Sequence, residues 1–300
     1  MQRFHFYSPK SIEEALVFLS EKGQRCKIIA GGTDLIPVLR LETLHPEYVL
    51  NILEIEGLKG IREEDHLVRI GPITTFTEMA DSEVLHCYFP LLVQAAASVG
   101  GPQIRNRGTV GGNIANASPA ADVLPAILAL DAELELQSKT YGKRRLPLDE
   151  AIASPYKTNF RQDEILTGIV IKKLGERTKC GFEKLGRRNA MARARMNLSV
   201  VLRLDQDEKV KELRIVPGAV MPVARRAKKA ELKLLGQKPG ASLIEAAVEA
   251  LSEEMVQVTG VRWSTGYKVP VLKNMARRLL RKLAEREEGA AIAPGPEIKG

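Results

Sequence analysis

Gly108, Thr109, Val110, Gly111, Gly112 and Asn113, followed by Asn116, Ser118 and Asp122, gather small residues and short polar side chains with almost no bulk. Glycine at 111 and 112 lets the backbone take positive φ and lets a ligand approach the N–H groups without meeting a Cβ. Successive N–H groups of this kind form an anion-binding concavity. Thr109, Asn113, Ser118 and Asp122 add hydroxyl, amide and carboxylate groups, an inventory suited to the many hydrogen-bonding atoms of a nucleotide. A Gly-Gly pair alone is more often a tight structural turn. A second loop alters that balance, because the apolar run Lys27, Ile28, Ile29, Ala30 breaks into Gly31, Gly32, Thr33 and Asp34 before Leu35. Neither loop is G-x-G-x-x-G and neither ends in G-K-[ST], so the common dinucleotide and nucleoside triphosphate motifs are absent. A pyrophosphate held between two glycine loops on different elements fits the pattern.

The elements that must hold these loops are legible from periodicity. Residues 4–7, 27–30 and 48–53 read as strands. Ser11 and Glu14 form an S-x-x-E capping box before a helix that runs to about Lys22. This opening unit alternates strand and helix, as in a small α/β or α+β subdomain. Residues 67–71, 132–136 and 164–171 read as further strands, and 90–99 and 124–130 as buried helices. Thr74 and Thr75 stand where a helix would be capped. The segment 138–159 is polar, rich in turn residues and expected to be exposed. In the last third, 181–185, 198–202 and 210–216 predict strands, and 241–257 and 274–286 predict amphipathic helices. The Pro/Gly/Ala-rich end, 290–300, is expected to be disordered.

Three hundred residues with 44% hydrophobic content supply two compact units. The first residues contain no apolar leader, and no apolar run approaches a membrane span, which implies a cytoplasmic protein. Cys26, Cys87 and Cys180 are far apart without C-x-x-C, so neither a disulfide framework nor a self-contained zinc or iron–sulfur site is indicated. Residues 1–171 hold 17 Lys/Arg against 22 Asp/Glu, whereas residues 172–300 hold 28 against 15. That basic half would attract nucleic acid, an acidic protein partner or an anionic small molecule, but without zinc-finger or RNP signatures and with 5% aromatics the chain is a poor nucleic-acid binder.

Residues 30–35, 104–113 and 118–122 closely resemble the flavin-binding subunit of molybdenum hydroxylases, a group that includes the FAD chains of xanthine dehydrogenase and of aerobic carbon monoxide dehydrogenase. Residues 163–166, 182–184, 223–225, 230–232 and 262–267 fall in family order. The resemblance implies an α+β chain: a vanillyl-alcohol-oxidase (PCMH) type FAD-binding domain over 1–176, with lobes of about 1–55 and 56–176, then a C-terminal α+β domain over 177–287 and a tail over 288–300. Non-covalent FAD would lie extended across it. By the same resemblance, Ile28, Ile29, Ala30, Gly31, Gly32, Thr33, Asp34 and Leu35 wrap the pyrophosphate, and Thr109, Gly111, Gly112 and Asn113 clamp its other side. Asp122, near Ser118, accepts hydrogen bonds from a neutral part of FAD, since its charge repels phosphate. Leu166 sits by the flavin ring and Lys184 near its polar edge, where a cation stabilises negative charge; the lesser alternative for Lys184 is an ordinary strand-face lysine.

The family reading makes the chain an electron-transfer module in a dimer of heterotrimers. An iron–sulfur small subunit and a molybdenum-cofactor large subunit would be its partners, and the acceptor would be NAD, a quinone or oxygen. No side chain need act as acid, base, nucleophile or metal ligand, and His5, His45, His66 and His86 lie outside both loops. Cysteine is absent from 138–159, which excludes the family variant with an extra cluster there. Thr259, Gly260 and Val261 replace the acidic residue that many relatives place before the Arg-x-Ser-x-x-Tyr pattern. The alternatives are a self-sufficient flavin-dependent oxidase or dehydrogenase, which would turn over alone, and a basic interaction protein, which would bind no flavin.

Overall fold

In the computed structural model, which describes residues 3–188 and 191–285, the chain opens with strand β1 (His5–Tyr7) and helix α1 (Ile12–Lys22). Ser11 Oγ accepts the Glu14 N–H at 3.2 Å, as its spacing predicts. The return half of the capping box does not form, because the Glu14 carboxylate reaches one residue further back and accepts the Lys10 N–H at 3.1 Å. Strands β2 (Cys26–Ile29) and β3 (Tyr48–Asn51) join β1 in a parallel sheet of order β1-β3-β2, and helix α2 (Leu35–Arg40) crosses between β2 and β3. Parallel pairing requires such a crossover, and it puts the first glycine loop at the carboxyl end of β2, where α/β sheets bind ligands.

The second sheet begins with β4 (Ile61–Glu63) and β5 (Leu67–Ile70) and then waits for six helices: α3 (Phe76–Ala80), α4 (Glu83–Tyr88), α5 (Pro90–Ala97), α6 (Pro102–Arg105), α7 (Val110–Asn116) and α8 (Val123–Ala129). Strands β6 (Glu133–Ser138) and β7 (Gly142–Pro147) follow. Helix α9 (Leu148–Ala151), the small hairpin of β8 (Ile152–Ser154) and β9 (Lys157–Thr158), and β10 (Glu164–Lys172) complete this region. The antiparallel order is β4-β5-β10-β6-β7. Thr75 and Glu78 form a full capping box on α3. The segment 138–159 is mostly exposed, as expected, and carries β7, α9 and the β8–β9 hairpin. Gly142, at φ +70°, makes the turn into β7, an edge strand whose Lys143, Arg144 and Arg145 keep it solvated.

The last third is an antiparallel meander of β11 (Thr178–Gly186), β12 (Ala194–Leu204) and β13 (Val210–Gly218), followed by α10 (Lys228–Leu234), α11 (Ala241–Thr259) and α12 (Thr265–Ala284). Helix α12 starts at Thr265 rather than at 274, because Pro270 is accommodated inside its N-terminal part instead of ending it. The expected tail, 288–300, lies outside the described residues.

Three apolar cores follow from these layers. Leu16, Leu19, Leu50 and Ile165 form the first; Phe89, Leu92, Ile127, Leu134 and Ile169 belong to the second; Val200, Ile215, Val248, Leu251 and Leu280 belong to the third. Strand alternation sends Val201 and Val216 into the second core while their neighbours Val200 and Ile215 enter the third. The meander is therefore apolar on both faces. Among the described residues, no helix is long and apolar enough to cross a membrane, and no group of three or more His, Cys, Asp or Glu side chains could hold a metal ion.

Candidate functional site

The first glycine loop leaves β2 at Ile29 and enters α2 at Leu35. Gly32 takes φ +75°, a conformation that suits glycine, and its carbonyl accepts the Ile36 N–H at 3.0 Å. Among the described residues, the N–H groups of Gly31, Gly32, Thr33 and Asp34 have no hydrogen-bond partner. The second loop reaches the same place from the other lobe. It is held by a Thr75–Thr109 bridge, by Val110 N–H donating to the Thr74 carbonyl at 3.0 Å, and by Phe76 N–H donating to the Gly108 carbonyl at 3.2 Å. Thr109 Oγ1 then caps α7 by accepting the Gly112 N–H at 3.2 Å.

Between the loops lies a cavity of about 350 Å³. It is lined by Ile28, Ile29, Ala30, Gly31, Gly32, Thr33, Asp34 and Leu35 on one side and by Thr109, Gly112 and Asn113 on the other. Asn113 Oδ1 is buried there without a hydrogen-bond partner, which for a buried polar atom calls for a ligand or a water. Gly111 has a different role from the one its sequence suggests. Its N–H donates to the Pro72 carbonyl at 2.8 Å, and a Cβ on it would sit 2.5 Å from Pro72 Cβ. Glycine is needed at 111 for α7 to pack on the chain behind it, whereas Gly112 is exposed to the cavity side.

Sequence reasoning missed one wall of the cavity. Tyr156, Val38 and Leu44 line it, beside Asn116 of the second loop. Tyr156 stands in the turn between β8 and β9 at φ +60°, 65% exposed, and donates its N–H at 3.0 Å to the carbonyl of Ala117, itself at φ +48°. A bulky residue held in the left-handed region is a strained feature of the kind found at ligand sites. No local pattern in the polar 138–159 stretch signals it.

The remaining predicted residues lie away from this cavity. Lys184, on β11, donates to Asp122 Oδ2 at 2.6 Å and to the Ser98 carbonyl at 2.7 Å. Asn197 Nδ2 donates to the Ala121 carbonyl at 3.2 Å and to Asp122 Oδ1 at 3.4 Å. Both charged side chains are nearly buried, at 8% exposure for Asp122 and 12% for Lys184. Burial pushes the Asp122 carboxyl above its ordinary value, and the Lys184 charge and hydrogen bond, then the Asn197 hydrogen bond, oppose that rise. Lys184 is therefore not a solvated strand-face lysine but one end of an ion pair between the meander and the start of α8. Ser118 Oγ accepts the Ala120 N–H at 3.3 Å and shapes the turn. Leu166 is buried in the second core opposite Leu136.

The cavity residues fit the pyrophosphate of FAD. Four unpaired N–H groups suit a ligand whose phosphates carry only acceptors, the orphaned Asn113 Oδ1 is an acceptor suited to a hydroxyl or amino donor elsewhere on FAD, and Val38 and Leu44 supply apolar surface for a ring. Comparison with known proteins agrees with this chemistry. Residues 2–172 match the family of the FAD-binding domain in molybdopterin dehydrogenase, and residues 181–283 match the CO dehydrogenase flavoprotein C-terminal domain. The carbon monoxide dehydrogenase medium chain of Hydrogenophaga pseudoflava is 32% identical, over 93% of this chain and 96% of the relative. The alpha subunit of the 6-hydroxypseudooxynicotine dehydrogenase complex of Paenarthrobacter nicotinovorans is also 32% identical, over 94% and 95%. The solved carbon monoxide dehydrogenase of Hydrogenophaga pseudoflava lacking the Mo-pyranopterin moiety superposes with a TM-score of 0.87 at 31% identity, over 93% of this chain and 96% of that one. Glycine loops, α+β architecture and kinship together place the chain in the family of FAD-binding medium subunits of molybdenum hydroxylases, as an oxidoreductase component.

Proposed function

We propose that the chain is the cytoplasmic electron-transfer subunit of a multi-subunit molybdenum hydroxylase, taking electrons from iron–sulfur clusters of a small subunit and passing them to an acceptor. A large subunit would hold the molybdenum cofactor and the hydroxylation site. Residues 1–176, in lobes of about 1–55 and 56–176, form the FAD-binding part of this reading, and 177–287 form the part that closes on it. The observation that carries it is the meeting of the two glycine loops, each from a different lobe, around donors that the chain leaves unpaired.

Bound FAD supplies the redox chemistry, and the protein supplies position and electrostatics. The N–H groups of 31–34 neutralise phosphate charge with dipoles, which needs no buried cation. Asn113, on α7, completes the grip from the other lobe. The Asp122–Lys184 pair fixes β11 against α8, so the C-terminal meander keeps its place beside the FAD-binding part. None of the four histidines lines the cavity, and the proposed role asks for no acid or base from this chain.

Titration of the purified chain with FAD, followed by absorbance and flavin fluorescence, tests the first half of the reading. Stoichiometric binding is expected, and a folded chain that takes up no FAD would overturn it. For the second half, the FAD-loaded chain alone is expected to turn over none of purine, nicotinate, aldehyde or carbon monoxide. Turnover by the isolated chain would mark it as a self-sufficient flavoenzyme instead.

A further inference from the structure

The cations along α12 are unequally balanced. Towards its C-terminal end, Lys273 meets Glu249 at 2.6 Å, Arg277 meets Glu245 at 2.6 Å, and Arg278 pairs with Glu183. The other end has no such partners. Residues 255–284 contain seven Lys/Arg and no Asp/Glu, and residues 185–204 contain five and none. Among the described residues, no carboxylate lies within ion-pairing distance of Arg195, Arg262 or Lys268. Arg195 instead stacks over the Tyr267 ring at 5.4 Å, Arg262 Nε donates to the Thr259 carbonyl at 3.0 Å, and Lys268 Nζ donates to the Ala219 carbonyl at 2.9 Å. The three charges feel one another: partial burial, then Arg262 and Arg195, hold the Lys268 ammonium below its ordinary value.

The same loop presents its bulk to solvent. Trp263 is 97% exposed and Val261 is 83% exposed. Tryptophan is the residue type most concentrated at the centres of protein interfaces, together with tyrosine and arginine. Here all three stand close in sequence and space, on a loop that none of the described residues covers. A concave, acidic surface would bury the Trp263 ring and neutralise the cluster in one step.

We propose that the 259–263 loop, with Arg195, Tyr267 and Lys268, is the docking surface for an acidic face of a partner protein subunit. The proposal rests on the multi-subunit reading above and names the part of this chain that meets the partner. Lys268 holds the carbonyl of Ala219, and the adjacent Gly218 packs so tightly on Asn197 that only glycine fits there. Asn197 in turn donates to Asp122 of the Asp122–Lys184 pair. A subunit seated on Trp263 is thereby linked through packed residues to the junction between the FAD-binding part and the meander.

The test uses the full chain, tagged and isolated from the cells that make it, with co-isolated subunits identified by mass. Treatment with a zero-length carbodiimide reagent is expected to join Lys268 Nζ to an Asp or Glu side chain of an iron–sulfur or molybdenum subunit. The double variant Trp263→Ser, Arg262→Glu is expected to recover at least tenfold less of those subunits while titrating with FAD as the parent does. Full recovery by the variant would overturn the proposal. So would a cluster that responds only to a small anion, read as quenching of the sole tryptophan of the chain by inorganic phosphate with subunit recovery unchanged. A parent chain recovered alone would overturn the multi-subunit reading itself, which the FAD titration leaves standing or falling separately.

Discussion

Gly31 lies against the backbone of Arg107 so closely that any Cβ on it would overlap the Arg107 carbonyl oxygen. The two glycine loops therefore meet backbone to backbone, and the contact, rather than ligand approach alone, demands glycine. Gly31→Ala is expected to cost about 1–3 kcal/mol of stability, as overpacking does, and to weaken FAD binding more than tenfold by parting the loops. Thermal unfolding and an FAD titration of the same preparation check both. Parent-like affinity would mean that the loops do not act together.

Asn113 has a cost in the free protein, since its Oδ1 is buried without a partner. Asn113→Ala is expected to leave the free chain as stable as the parent or up to about 1 kcal/mol more so, because an unsatisfied group is removed. FAD affinity is expected to fall about tenfold, equivalent to ~1.4 kcal/mol. A less stable variant with parent affinity would show Asn113 to be structural.

Tyr156 separates strain from function in the same way. Tyr156→Gly is expected to raise stability by about 1 kcal/mol, because glycine adopts positive φ without penalty, and to lower FAD affinity by removing the ring from the cavity wall. Tyr156→Phe keeps the ring and is expected to bind as the parent does. Calorimetry and flavin fluorescence read the two effects independently.

The Asp122 carboxyl sets a pH dependence whose sign follows from its burial. Its folded value is raised above the ordinary 3.8, so between the two values the folded state binds more protons than the unfolded one. Stability from this group is then fully present below the ordinary value and declines as pH rises through the folded one. Asp122→Asn is expected to flatten that part of the stability–pH curve. Lys184→Met leaves the buried carboxylate without its cation and is expected to cost about 3–5 kcal/mol near neutral pH. Urea unfolding across the acid range measures both.

Much of the fold was legible because its signals are local. Ser11 caps α1, Thr75 caps α3, and the apolar alternation of β6 and the apolar run of β10 appear in the sequence as they do in the sheet. The failures have non-local causes. The charged edge strand β7 gives no strand signal because little of it touches the core, and the start of α12 is hidden by Pro270. The glycine loops were recognisable, but which glycine faces the ligand was not: Gly111 and Gly112 are adjacent, and only the placement of Pro72 distinguishes them. Tyr156 reaches the cavity through a hydrogen bond to Ala117, a pairing that no sequence window spans.

Strand β12 sends alternate side chains into two different cores, Val201 towards α5 and α8 and Val200 towards α11 and α12. Neither half of the chain owns that strand. Severing the chain near residue 176 would bare an oily surface on each fragment, so limited proteolysis there should yield insoluble pieces rather than two working modules. Heat should melt the cofactor-binding part and the C-terminal part in one cooperative transition, with a calorimetric enthalpy equal to the van't Hoff value. A chain that matches two separate family models is thus expected to unfold as one body.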